Sequence, residues 1–183
     1  MNPTDAPSQP GMTWLAFALL TVVSWGVYGV FLHNGQVQMQ DPVHGRYKAF
    51  LFVGIAYFLV AVLAPLIMLV TSGADWKYPA GGMAWSLVAG IVGAIGAFGV
   101  LLAFGAKGSP SVVMAIVFSG APVVNAAVSL LMHPPAGGIA SIKPGFWIGI
   151  ILAATGGCLV TFFKPAPGKP HAKPAAQVQL PKP

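Results

Sequence analysis

Five apolar stretches without a single Lys, Arg, Asp or Glu, residues 13–32, 49–71, 81–106, 110–132 and 145–163, decide what this chain can become. Each has about the ~20 residues that a helix needs to cross the hydrocarbon core of a bilayer. Lipid offers the backbone no hydrogen-bond partner, so every N–H and C=O must be paired within the protein, and the stretches lack the two-residue alternation of a barrel strand. The expected fold is therefore all-α, a polytopic membrane bundle of five transmembrane helices. A share of 56% hydrophobic against 7% charged residues fits neither a soluble domain nor a disordered chain. The domain reading is a flexible N-terminal segment over 1–12, a five-helix transmembrane domain over 13–163 and a disordered Pro- and Lys-rich tail over 164–183. The first twelve residues contain no Lys or Arg and so lack the basic region of a secretory signal; the first stretch is expected to stay in the membrane as a helix.

All nine cations and all three acids lie outside the five stretches. If the stretches cross in turn, one side of the membrane holds Arg46, Lys48, Lys107, Lys164, Lys169, Lys173 and Lys182, and the other only Lys77 and Lys143. The positive-inside rule then predicts a multi-pass protein of the plasma (inner) membrane with its N-terminus outside and its C-terminus in the cytoplasm. The net charge of +6 belongs to loops and tail, where no basic patch is interleaved with aromatics. The lipid bilayer is therefore an expected partner and nucleic acid is not. Cys158 is the single cysteine, which rules out an intramolecular disulfide or a CxxC site and reads as a small buried apolar side chain. Between the first two stretches, HNGQVQMQDPVHGRYK holds His33, Asp41, His44 and Arg46. Two His and one Asp at these spacings match no compact ligand signature, so no metal and no cofactor is expected. Asp41-Pro42 instead predicts a turn, with Arg46 and Lys48 reaching to headgroups and the histidines solvated or capping helix ends.

In the first helix Trp14, Thr21, Trp25 and Tyr28 fall at spacings of seven, four and three, with Ser24 beside them, and so share a face. That face suits either a cavity for an organic solute that needs stacking and a few hydrogen bonds, or packing between helices with Trp14 as an interfacial anchor. Pro65 in the second helix and Pro122 in the fourth each remove a mid-span hydrogen bond and are candidate hinges. The third helix carries Gly90, Gly93, Gly96 and Gly99, and its small-residue face Ala89, Gly93 and Ala97 predicts close neighbours on more than one side. The fourth begins with Ser109 as a natural N-cap and Pro110 in the first helical position. Further along it, Ser119, Pro122, Asn125 and Ser129 read as one polar face. A primary amide such as that of Asn125 is expensive in lipid unless it bonds a neighbouring helix or faces a hydrated cavity. The candidate substrate-binding set is Thr21, Ser24, Trp25, Tyr28, Ser119, Asn125 and Ser129, with no catalytic residue.

Trp25-Gly26 followed by Tyr28 and Phe31, the run AFGVLLAFGAKGSPSVVMAIVFSGAPVVNA into a proline-bearing fourth helix, and the closing FWIGIILAATGGCLV together resemble one repeat of the drug/metabolite transporter superfamily, EamA-like type. The resemblance covers most of residues 14–163. It implies a half-unit, because full-length relatives carry two repeats in inverted orientation with the cavity between them, and the 183 residues contain no second copy. The acidic residue such repeats often carry at the end of the fourth helix is replaced here by Met132, His133, Pro134 and Pro135.

No Ser/His/Asp, Cys/His or paired-carboxylate arrangement lies in or beside a single span, so an enzyme is not expected. The expected function is transport of a small neutral or amphipathic metabolite, the small-molecule substrate, through a cavity formed on oligomerisation. The oligomer would be a homodimer, or a heterodimer with a second half-repeat. No ionisable side chain lies within any span, so the carboxylate switch of the small multidrug relatives is missing and a carrier is narrowed to facilitation or exchange. The alternative is a noncatalytic integral-membrane subunit that packs against a larger complex.

Overall fold

Hydropathy marks where lipid begins rather than where a helix stops, and the first helix shows the difference. In the computed structural model, which describes residues 12–165, α1 spans Thr13–Gln38 and carries His33 and Gln36 in helical register beyond its apolar stretch. α2 spans Gly45–Thr71, α3 Ala80–Gly105, α4 Pro110–Met132 and α5 Pro144–Phe162. All five are long and apolar enough to cross a membrane, as in a multi-pass membrane protein. No strand occurs among the described residues. The segments expected to be flexible, 1–12 and 164–183, lie outside the described residues except for Met12, Lys164 and Pro165.

The turns are closed by specific local bonds. Between α1 and α2, Asp41 Oδ1 accepts from the backbone N–H groups of Val43 (3.0 Å) and His44 (2.8 Å), which forms the expected turn. Its Oδ2 accepts from Lys48 Nζ at 2.6 Å. Lys48 is thus tied to Asp41 rather than extended alone to headgroups. The His44 N–H, and after it the Lys48 ammonium, hold the Asp41 carboxyl well below the usual carboxylate range. α2 ends at Gly73, whose φ of 66° lets the Ala74 N–H reach back to the Leu69 carbonyl. α3 ends in the same way at Lys107, φ 69°, with the Gly108 N–H on Ala103. A side chain in this left-handed conformation costs roughly 1–2 kcal/mol relative to glycine. Ser109 precedes α4 as expected, but its hydroxyl makes no capping bond to the helix and lies 3.4 Å from that of Ser111.

Full burial is confined to one end. The buried cluster is Leu32, Val100, Leu101, Phe104 and Met114, with Tyr28, Phe50, Val53, Val113 and Val117 against it. Every buried residue among the described ones lies in the half of its helix nearest the α1–α2 and α3–α4 turns. α1 touches α2, α3 and α4 there, and α5 is held chiefly by α4. Two glycines make the crossings possible. A Cβ on Gly29 would strike the Met114 side chain, so α1 meets α4 at that point; a Cβ on Gly157 would collide with Ser119, so α4 meets α5 there. At the opposite end, which holds the start of α1 and the α2–α3 and α4–α5 turns, no described residue is buried.

The glycine-rich third helix has the several neighbours expected of it, and Ala97 of its small-residue face is buried, but its glycine series is not where they meet. α3 reaches them through Ala97, Val100, Leu101 and Phe104. Gly90, Gly93, Gly96 and Gly99 have no atom within 4 Å of where a Cβ would stand. The two prolines also differ. Ahead of Pro65 the α2 backbone widens into a π-helical turn over Leu59–Leu63, whereas Pro122 sits in an uninterrupted α4. A π turn re-pairs the carbonyls that a proline ring and its missing N–H disturb. Cys158 is exposed rather than buried, because the α5 face that carries it has no neighbour beyond α4.

Candidate functional site

Seen from their helices, the seven candidate residues fall into three places rather than one. Ser24 and Tyr28 line a groove of about 410 Å³ between α1 and α2, walled by Leu32, Gly35, Phe52 and Val53. The rings of Trp25 and Tyr28 lie 5.5 Å apart, tilted by 49°. The Tyr28 hydroxyl is buried with no hydrogen-bond partner, and the Thr21 hydroxyl donates to the Phe17 carbonyl of its own helix at 3.0 Å. Ser119 belongs to a different groove, about 420 Å³, between α4 and α5 beside Gly157, Cys158 and Thr161, and it donates to the Ile116 carbonyl at 3.2 Å. Asn125 and Ser129 are exposed.

The separation of Ser119 from Asn125 follows from helical geometry. Six residues advance a helix by about 600°, so the two side chains leave α4 roughly 120° apart and cannot share one face closely. Asn125 is eleven residues beyond Met114, about three full turns, and therefore leaves α4 on the Met114 side. Trp25 is four residues before Gly29 and leaves α1 on the Gly29 side. Gly29 and Met114 are where α1 and α4 touch. Trp25 and Asn125 consequently stand on the mutually facing sides of these two helices, beyond their crossing and toward the unpacked end. Trp25 is 37% exposed there.

At the packed end His33, expected to be solvated or to cap a helix end, and Arg46, expected to reach to headgroups, instead have buried nitrogens, as does Gln36, which sequence reading left without a role. His33 Nδ1, Gln36 Nε2 and Arg46 Nε are buried without a hydrogen-bond partner. The His33 ring meets the Phe104 ring edge-on at 5.5 Å, and the Arg46 guanidinium lies against Gly105 and over the Tyr47 ring, 5.0 Å from its centre. The available signal was the three-residue spacing of His33 and Gln36, which continues the helix beyond the apolar stretch.

Among the described residues no three His, Cys, Asp or Glu side chains gather into a metal-holding group. The grooves described above present aliphatic and aromatic walls with isolated hydroxyl groups, an arrangement suited to holding an amphipathic molecule. No protein-family model matches the chain, and neither a curated protein nor a solved structure matches it.

Proposed function

We propose that this chain is a half-size carrier of the EamA-like, drug/metabolite transporter kind, which moves a small neutral or amphipathic metabolite through a passage completed by a second half-repeat. The support in sequence is the set of motifs around Trp25-Gly26 and the α3–α4 run. The observation that carries the reading is the placement of Trp25 and Asn125 on facing sides of α1 and α4 at the unpacked end. An indole and an amide inside a span, without hydrogen-bond partners among the described residues, favour a hydrated path or a second subunit over lipid.

In this reading the packed end is the closed gate and the unpacked end admits solute. Trp25 supplies a stacking face and an N–H, Asn125 one donor group and one acceptor, and Ser24 and Tyr28 add hydroxyls from the adjoining groove. Thr21 and Ser129 flank them, each one turn farther toward the unpacked end, while Ser119 faces the separate α4–α5 groove. Paired copies rock about the crossing, with Pro65 and Pro122 as hinges, and expose the solute to each side in turn. The pair is a homodimer or a heterodimer in the plasma membrane, with the N-terminus outside and the C-terminus in the cytoplasm.

The test is counterflow in proteoliposomes that hold purified full-length protein, with a neutral aromatic amino acid and a lipophilic fluorescent dye as probes. Trp25→Ala and Asn125→Ala are each expected to slow exchange at least about tenfold, the loss of roughly 1.4 kcal/mol of binding. Unchanged exchange in both variants removes the assignment.

A second reading rests on a separate observation, Gly90 and Gly93 of α3 with open space before them. Such a small-residue patch lets another helix approach closely and fits a noncatalytic subunit of a larger membrane complex. Reporter fusions at both termini, combined with crosslinking of the native assembly, separate the readings. A stable foreign partner and a single orientation favour the subunit; self-crosslinks favour the carrier.

A further inference from the structure

The outer side of the α2–α3 pair carries a groove of about 500 Å³ whose two ends differ in chemistry. At the packed end its rim is formed by His44, Tyr47 and Lys48; its wall, running toward mid-span, by Phe50, Leu51, Gly54 and Phe98. The Phe50 and Phe98 rings pack at 5.5 Å and close the floor. Gly54 has nothing within 4 Å of a Cβ position, so the groove is open there. Lys48 of the rim is bonded to Asp41, and the Arg46 guanidinium adjoins the rim, lying over the Tyr47 ring 5.0 Å from its centre. Arg46 bridges from α2 to the end of α3 at Gly105, two residues before Lys107. Its Nε lacks a hydrogen-bond partner, and it joins none of the ion pairs of the described residues.

We propose that this groove binds an anionic glycerophospholipid. The headgroup phosphate sits at the rim, where the guanidinium of Arg46 and the ammonium of Lys107 leave an uncompensated charge of two, and one acyl chain lies along Leu51, Gly54 and Phe98. Basic groups between helices at the membrane surface select anionic headgroups, and an arginine fork matches phosphate oxygens. A free phosphate would use the rim and leave the apolar wall unfilled; a lipid uses both. The inference depends on membrane placement of the helices and is independent of transport.

Native mass spectrometry of the full chain in detergent tests it, with phosphatidylglycerol and phosphatidylcholine of identical acyl chains as probes. Phosphatidylglycerol is expected to be retained preferentially, and Arg46→Gln or Lys107→Gln to lower that preference about fivefold each. Gly54→Leu fills the wall and is expected to weaken both lipids while the headgroup preference survives. The pair Lys77→Gln and Lys143→Gln, at the opposite end, is expected to change nothing. Equal retention of the two lipids by the parent chain overturns the proposal, as does a preference indifferent to both rim variants. Displacement of phosphatidylglycerol by glycerol phosphate also overturns it, since the headgroup alone would then suffice. If Arg46→Gln does not fold, Lys107→Gln, in a surface turn, and Gly54→Leu carry the decision.

Discussion

The two ends of the bundle are built from the same kinds of residue and end up in opposite states. Near the α1–α2 and α3–α4 turns, Leu32, Leu101, Phe104 and Met114 interlock across three helices with Phe50 and Val53 of α2 against them, and the polar groups of Asp41 and Lys48 tie the turn above them. At the other end Leu20, Val23, Leu87 and Leu131 are as apolar but touch little, Leu131 being 82% exposed. In water such surfaces would collapse together; in lipid there is no such drive, so contact forms only where shapes fit. Apolar character therefore does not distinguish the ends. Close-fitting small residues do: Gly29 and Gly157 bring helices together, and nothing at the far end performs that role.

This contrast can be attacked with single substitutions. The largest effect is expected for Leu101→Ala, since Leu101 is fully buried at 0% exposure. Deleting such a side chain costs about 2–5 kcal/mol in well-packed cores, to be read as unfolding in mixed micelles. Asn125→Ala at the open end should shift the same measurement by no more than about 0.5 kcal/mol, as an exposed site does. An equal loss would mean that a partner closes that end in the native membrane. Gly157→Ala comes next, at about 1–3 kcal/mol, because the new methyl must displace Ser119. Gly93→Ala, with open space before it, should be neutral or slightly stabilising in the same assay.

Accessibility sharpens the contrast further. In a Cys158→Ser background, Asn125→Cys is expected to react readily with a small maleimide and Leu101→Cys to resist it. Comparable rates would break the distinction between the ends. The smallest effect concerns pH. The Asp41 carboxyl is held below its ordinary range by the His44 N–H and Lys48, so its stabilising role is complete above the unfolded aspartate pKa of about 3.9. It is lost only as pH falls through the lower folded value. Amide exchange at Val43 and His44, corrected for intrinsic rates, should therefore show constant protection between about pH 8 and 5. Asp41→Ala should lose that protection at every pH.

Much of the architecture is readable from the chain, because a run of ~20 uncharged residues has few alternatives to a spanning helix. The ends were less readable. His33 to Gln38 look like loop by polarity yet continue α1, and Gly45 to Lys48 begin α2 before its apolar run. Helix orientation was the least legible feature. A soluble helix announces its buried face by a polar opposite face; here apolar residues surround each helix, so Ser119 and Asn125 could be assigned one face by spacing and still lead to different surroundings. The same blindness applies to the glycines. Twenty-three occur in the chain, and sequence singled out the α3 series, whereas the contacts formed at Gly29 and Gly157. Only the path of the neighbouring backbone separates a glycine that admits a helix from one that faces lipid.

The widened turn at Leu59–Leu63 makes the length of α2 a setting of angle. One residue more than a regular helix requires swings everything after it, from Ala64 to Thr71, by about 100° relative to the first half. Removing a single amino acid there would let the wide turn close to a regular helix and leave Pro65, Leu66 and Leu69 aimed as before relative to Ala49 and Val53. At this point of the chain, the loss of a residue is taken up by the turn instead of being passed on as rotation.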